Sequence, residues 1–251
     1  MKRVALVTGA SAGLGTEFAR QLSKRGHGLV LAARRKDRLQ ELAKELGDAR
    51  AIAIDLSKKG AAAKLLADLE ANGEVVDILI NNAGFGLIGS FAELDTARLR
   101  QMIDLNVGAL TDLCRGVAPA MIKRKGGAIL NVASTAAFQA GPNMAVYFAS
   151  KAFVLSLTEA LHEELKEHRI KVSCLCPGPT RTEFGEVAGF GGNIAFDRFA
   201  MGAAEVVEIG LKGLDRNRAV VIPGIVNKLG AIGAQLAPRS AVRKIAGAIK
   251  Y

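Results

Sequence analysis

The stretch VALVTGASAGLG, residues 4–15, decides the fold. Its first half is a continuous apolar, β-rich run, and a helical period starts at Leu14 and continues to Lys24. Between them Gly9, Gly13 and Gly15 stand where side chains would block the backbone from a pyrophosphate, and the N–H groups of the following helix would receive the phosphates. A glycine-rich turn alone is weak support, because glycine also serves tight turns. The flanking sequence strengthens it. Downstream, GLVLAA (28–33), AIAIDL (51–56) and VDILINNAG (76–84) alternate with helical segments over 37–46 and 61–71, a βαβαβαβ pattern. A long amphipathic stretch over 99–125, the strand GAILNVAS (127–134), a helix over 147–168 and the strand IKVSCLC (170–176) continue it. The strands are continuous apolar runs and not alternating ones, which predicts a parallel sheet covered by helices on both faces. Right-handed crossovers then give an open, doubly wound α/β sheet in a single domain, with ligands outside the carboxyl ends of the strands.

The chain has 251 residues, half of them hydrophobic, and no internal repeat, which suits one compact domain over 1–224 followed by a tail over 225–251. The apolar run after MKR is too short for a signal-peptide core or a membrane span, so a cytoplasmic protein is expected. Cys114, Cys174 and Cys176 are read as buried thiols, and His27, His162 and His168 form no recognisable zinc pattern, so no metal is expected. The net charge is +10, but residues 216–251 carry seven Lys/Arg and no Asp/Glu. The excess is local, which argues against a specific nucleic-acid binder and for one surface that meets something anionic, apolar or both.

Sites that prefer NAD usually offer an acid to the ribose 2′-hydroxyl after the second strand, whereas this chain runs Leu31-Ala32-Ala33-Arg34-Arg35. Arg34 can stack near the adenine and donate charge-assisted hydrogen bonds to a 2′-phosphate, which predicts NADP. Asp55 could accept from the adenine amino group or cap the helix after it.

Tyr147 and Lys151 stand four apart at the start of a helix and therefore share one face. A phenol with a pKa near ~10 is a sluggish acid or base at neutral pH, and moving it toward neutrality requires roughly 4 kcal/mol, which a fixed ammonium in a dehydrated pocket could supply. The pattern Tyr-x-x-x-Lys is common by chance. Its weight comes from its companions: TGASAGLG at 8–15, NNAG at 81–84, Asn106 in the long helical stretch, Ser134 ending the fifth strand, and Pro177-Gly178 after the sixth.

In order and spacing, residues 1 to about 224 resemble the short-chain dehydrogenase/reductase family. The resemblance implies that Tyr147 is the acid/base, Ser134 holds the substrate oxygen, Lys151 lowers the tyrosine pKa and bonds the nicotinamide ribose, and Asn106 holds a water in a proton relay. It also implies cofactor contacts at Gly9, Ser11, Gly13, Leu14, Gly15, Asp55, Leu56, Asn82, Ala83 and Gly84, and at Pro177, Gly178, Thr180 and Thr182 beyond the sixth strand. The family's usual basic residue before the second glycine is absent, since Ala12 occupies that position, so NADP preference rests on Arg34. A small-molecule carbonyl or alcohol substrate and a homo-oligomer are implied as well. The rival reading is a regulatory or scaffold protein of the same fold that binds NADP without turnover.

Phe85 and Phe138 follow directly on NNAG and Ser134. With Phe184 and the other phenylalanines of a glycine-rich stretch over 179–201, read as an apolar lid, they suggest a substrate pocket for apolar carbonyl compounds. In the tail, Ile225, Leu229, Ile232 and Leu236 recur at helical spacing up to Pro238, and Val242, Ile245 and Ile249 beyond it. Two amphipathic helices are predicted, with Lys228, Arg239, Arg243, Lys244 and Lys250 on their polar faces. Packing of the apolar stripes on the core or a sister subunit is the ordinary reading, and peripheral contact with an anionic membrane is the sharper one.

Overall fold

The computed structural model describes residues 1–183 and 200–248. Seven parallel strands form one sheet in the order β3-β2-β1-β4-β5-β6-β9. The strands are β1 (Lys2–Thr8), β2 (Gly28–Ala33), β3 (Ala49–Ala53), β4 (Glu74–Asn81), β5 (Gly127–Val132), β6 (Ile170–Leu175) and the short β9 (Val220–Val221). A separate two-residue ladder joins β7 (Thr180–Arg181) to β8 (Met201–Gly202). The expected doubly wound sheet is therefore present.

Strand period explains how both faces are filled. Along β1, Val4 and Leu6 join a core with α3 (Ala61–Ala71), α5 (Leu110–Arg124) and α6 (Ala145–Lys166), whereas Ala5 and Val7 join the opposite core. That second core holds Phe18 and Leu22 of α1 (Gly13–Lys24), Leu39 and Leu42 of α2 (Lys36–Leu46), and Val206, Val207 and Leu211 of α7 (Ala203–Asp215). The strand order reverses between β1 and β4, and the loop over 9–15 and the NNAG segment both leave the sheet there, at the carboxyl edge.

The stretch read as one amphipathic helix over 99–125 has a break in it. α4 (Thr96–Ile103) is followed by a six-residue π turn, Asp104–Ala109, before α5 begins. Asp95 caps α4 by accepting from the N–H groups of Ala97 and Arg98.

The tail forms the two expected helices, α8 (Ile225–Leu236) and α9 (Arg239–Ala248). Of the ordinary reading, packing on the core does not apply to the α8 stripe. α8 turns Asn227, Ala231 and Ala234 toward residues 135 and 139, while Ile225, Leu229 and Leu236 face away, from 64% to 82% exposed. The apolar stripe thus does not pack on the core, because the small residues of the opposite face do. Among the described residues, no helix is long and apolar enough to cross a membrane.

Candidate active site

The site is assembled from loop ends. At the switch point, the hydroxyl of Thr8 accepts from the backbone N–H groups of Asn82 and Ala83, both at 3.0 Å, and donates to the carbonyl of Ile80. The Asn82 amide donates back to the carbonyls of Thr8 and Gly9. The loop over 9–15 is thereby stitched to the end of β4. A Cβ on Gly15 would lie 2.1 Å from the Gly9 carbonyl oxygen, so glycine is required there for the loop to close on itself. Helix α1 starts after Ala12 with no side-chain cap and no acid in its first turn, which leaves that end open to an anion. Leu14 packs into the sheet face behind the loop.

Beyond β2, Arg34 is exposed and lies close enough to Asp55 to act on its charge. Burial raises the Asp55 pKa, but the Ser57 hydroxyl and N–H, with Arg34 and Lys58, outweigh it and hold the carboxyl below its usual value. Asp55 does not cap α3, whose N-cap is Gly60; it closes a local turn by accepting from the Ser57 N–H at 3.1 Å and hydroxyl at 2.7 Å. Leu56 is buried in the core. Two partners of this region were not anticipated from the sequence. Arg35 donates to the hydroxyl and carbonyl of Ser11, and both Arg35 and Arg38 pair with Glu183.

At the other end, Tyr147 comes from the first turn of α6, and Ser134 from the end of β5, where it caps a 3-10 turn over Thr135–Phe138. The two side chains hydrogen-bond, and Ser134 also accepts from the Ala136 N–H. Tyr147 is 7% exposed, and burial pushes its phenol up to about 12, with only the Ser134 bond pulling it down. Lys151, one turn on, is equally buried; burial brings its ammonium down to about 8. Its Nζ donates to the Val132 carbonyl at 2.8 Å and lies 5.8 Å from the Tyr147 ring centre.

Asn106 sits in the π turn and is buried, with both amide hydrogens donated. It donates to the Phe85 carbonyl at 2.9 Å and the Ser150 hydroxyl at 3.1 Å, and accepts from the Phe85 N–H at 3.1 Å. Ser150 in turn donates to the Tyr147 carbonyl. Asn106 therefore ties the segment after β4 to α6, and Ser150 is a link that sequence reading missed. A Cβ on Gly84 would lie 2.9 Å from the Asn106 amide oxygen and 3.6 Å from Lys151 Nζ, so only backbone fits between them.

Pro177 closes the site from β6: its carbonyl accepts from the Thr135 N–H. Thr180 donates to the Gly178 carbonyl, and Thr182 stands over Gly13, which brings the predicted set from beyond β6 against the loop over 9–15. Of the residues expected to meet a substrate, Phe85 is buried with Met102, Met144, Tyr147 and Phe148. Phe138 does not join that group; the 3-10 turn directs it to the core shared with α6. Phe184, with most of the expected lid, lies outside the described residues. Among the described residues, no cluster of His, Cys, Asp and Glu could hold a metal ion, and Cys114, Cys174 and Cys176 are free and buried.

A family model described as short chain dehydrogenase matches residues 3–207. The solved structures similar to this chain include a short-chain dehydrogenase from Sphingobium yanoikuyae in complex with NADPH, 35% identical over the full length of both chains with a TM-score of 0.83. The bulky-bulky ketone specific alcohol dehydrogenase from Comamonas testosteroni is 32% identical, over 100% of this chain and 97% of that one, with a TM-score of 0.78. Among curated proteins, the NADP-dependent 3-hydroxy acid dehydrogenase YdfG of Shigella flexneri is 39% identical over 189 residues, 73% of this chain and 75% of that one. With residues 3–207 matched and the stitched loop, the switch point and the α6 face arranged as described, the chain belongs to the short-chain dehydrogenase family.

Proposed function

We propose that the protein is an NADP-dependent oxidoreductase that interconverts a carbonyl and an alcohol on an apolar small molecule, with Tyr147 as the acid/base. The observation that carries this reading is the convergence of Ser134, Tyr147 and Lys151, from two elements, at the carboxyl edge of the sheet beside the switch point.

The residues present suit the cofactor. The uncapped start of α1 fits a diphosphate, the two arginines after β2 fit a 2′-phosphate where an acid would serve NAD, and the backbone-only gap at Gly84 lies beside Lys151. Gly9, Ser11, Gly13, Leu14, Gly15, Arg34, Asp55, Leu56, Asn82, Ala83 and Gly84 would line it, Lys151 would bond its ribose, and Pro177, Gly178, Thr180 and Thr182 would flank its far end. When bound, NADPH supplies the hydride. The NADPH complex of the Sphingobium relative and the NADP dependence in the name of the Shigella relative support this cofactor.

The chain's own work is proton handling. A phenol held near 12 keeps its proton at neutral pH and can give it to a carbonyl oxygen as that oxygen gains charge. The Ser134 hydroxyl, already bonded to Tyr147, is a second donor to the same oxygen. Lys151, still charged below about 8, steadies the phenolate left behind. Asn106 and Ser150 hold the two sides of the site together, and a water beside Asn106 would return the proton. Phe85, Met144 and Phe148 around Tyr147 support an apolar substrate, as does the bulky-ketone specificity of the Comamonas relative. Incubating the protein with NADPH and a panel of bulky ketones, aldehydes and 3-oxo acids, and following the reduced nicotinamide absorbance, tests the reading. NADPH that binds but is consumed with none of them would favour the non-catalytic alternative.

Two surfaces complete the proposal. Ile103 and Phe153 are exposed large hydrophobics, and Ile103, Val107, Ala145, Val146 and Ala149 line a hollow of about 400 Å³. This face supports a homo-oligomer, which sedimentation velocity would read. The exposed stripe of α8, beside Lys228, Arg239, Arg243 and Lys244 and without an acid from 216 onward, supports peripheral contact with an anionic membrane. Self-association through that basic face would bring like charges together. A cytoplasmic location belongs to the same reading, supported by three buried free thiols.

A further inference from the structure

The guanidinium of Arg35 spans two partners. Its Nε and Nη2 reach the hydroxyl and carbonyl of Ser11, both at 3.2 Å, and its Nη1 reaches Glu183 Oε2 at 2.8 Å. Arg38, one turn along α2, holds the other carboxylate oxygen of Glu183 at 2.5 Å. Ser11 belongs to the glycine loop, and Glu183 follows Thr182, which stands over Gly13. An anion therefore already sits on two arginines beside a serine hydroxyl, immediately after β2, where the sequence supplies no acid of its own. Two guanidiniums and a hydroxyl are the partners a phosphate monoester takes.

We propose that Glu183 is a built-in occupant of the 2′-phosphate subsite, displaced from Arg35 when NADP binds and retained when NAD binds, so that Glu183 and Arg35 together set the preference between the two cofactors. The proposal rests on the NADP reading given above. Arg35, and then Arg38, hold the Glu183 carboxyl below its usual range, so the occupant is an anion at every pH at which the protein would work. A dianionic phosphate outcompetes a single carboxylate on the same arginines, but it must first release that carboxylate. NAD brings no anion to this point and leaves the pair intact. Arg34, one residue earlier, stays free to lie against the adenine.

Calorimetric titration of the full chain with NADP+, NAD+ and 2′,5′-ADP, with no substrate present, tests this. Glu183→Gln should tighten NADP+ and 2′,5′-ADP about three- to fivefold, the scale of one exposed ion pair, and leave NAD+ within twofold. Arg35→Ala should weaken the two 2′-phosphate ligands about tenfold or more, and the gain from Glu183→Gln should shrink in the Arg35→Ala background, because one of the two arginines that the glutamate occupies is then gone. Equal weakening of NADP+ and NAD+ by Glu183→Gln, no change in either, or additive effects in the double variant would each overturn the proposal. Failure of the NADP reading itself looks different: the unmodified protein would bind NAD+ as well as NADP+ and would not bind 2′,5′-ADP.

Discussion

The site edge of the sheet and the outer face of the tail invert the ordinary distribution of residues in opposite senses. At the first, a phenol, an ammonium and an amide are buried to within 7% of their surface; at the second, Ile225 and Leu236 are about four-fifths exposed. Each inversion costs free energy in the isolated molecule. The difference lies in how firmly the chain holds each one. The buried polar groups are each held by hydrogen bonds to neighbouring elements, whereas the exposed stripe is held only through the small residues behind it.

The largest expected effect that would sharpen this contrast is Tyr147→Phe. It removes one hydroxyl from a buried ring and is expected to lower the rate of carbonyl reduction by about 10³-fold, within the range for a lost general acid, while NADP affinity changes less than twofold. Near-normal turnover on a verified ketone would remove Tyr147 from the chemistry.

Next in size is the cost of the buried ammonium. A Lys151 pKa brought from 10.5 to about 8 corresponds to a penalty on the order of 3 kcal/mol while the group is charged in both states. Lys151→Met removes it, less about 1 kcal/mol for the lost bond to Val132. The sign of the pH dependence follows. Below about 8 the penalty is complete; as pH rises toward 10.5 the folded lysine is neutral while the unfolded one stays charged, and the unmodified protein recovers stability. Urea unfolding should therefore show the methionine variant ahead near pH 7 and its lead shrinking by pH 10. A lead that stays constant with pH would mean that the ammonium carries no such cost.

Ser150→Ala should cost about 1–2 kcal/mol, because it strands a donor of buried Asn106. It should also lower kcat more than it raises KM, whereas a purely structural loss would lower stability alone. The smallest effect on the fold is expected in the tail. Leu229→Gln with Leu236→Gln should change stability by less than about 0.5 kcal/mol, since neither side chain is packed. The same pair should abolish low-salt cosedimentation with anionic vesicles. A large loss of stability, or unchanged sedimentation, would mean that the stripe is covered by protein.

What could be read from sequence followed the range of the interactions. The strands and the loop over 9–15 were legible because period and glycine placement are local, and Tyr147 with Lys151 because four residues bring them round one helical turn. Adjacency to Ser134 did not tell that Phe138 packs against the core at α6, because a 3-10 turn sets the direction of the next side chains. Asp55 offered two local readings, and the Ser57 turn, two residues on, is a third. Glu183 and Arg35 are 148 residues apart, and no local pattern marks either as the other's partner. Ser150 gave no signal beyond its place between two singled-out residues.

The π turn over Asp104–Ala109 carries a consequence for chain length as opposed to residue identity. Such a turn holds one residue more than an α-helical turn needs. Deleting a single codon within it would let the hydrogen bonds revert to regular α-helix, so the local backbone would be relieved. The flanking helices would keep their phase, because the turn absorbs the extra residue, but the side chains within it would be turned by up to about 100°, the rotation per residue of an α-helix, and Asn106 would leave both Ser150 and the Phe85 backbone. A frame-preserving deletion here should thus yield a protein whose helix is more regular and whose two loop ends are no longer joined, while many substitutions at the exposed Asp104 of the same turn pass unnoticed.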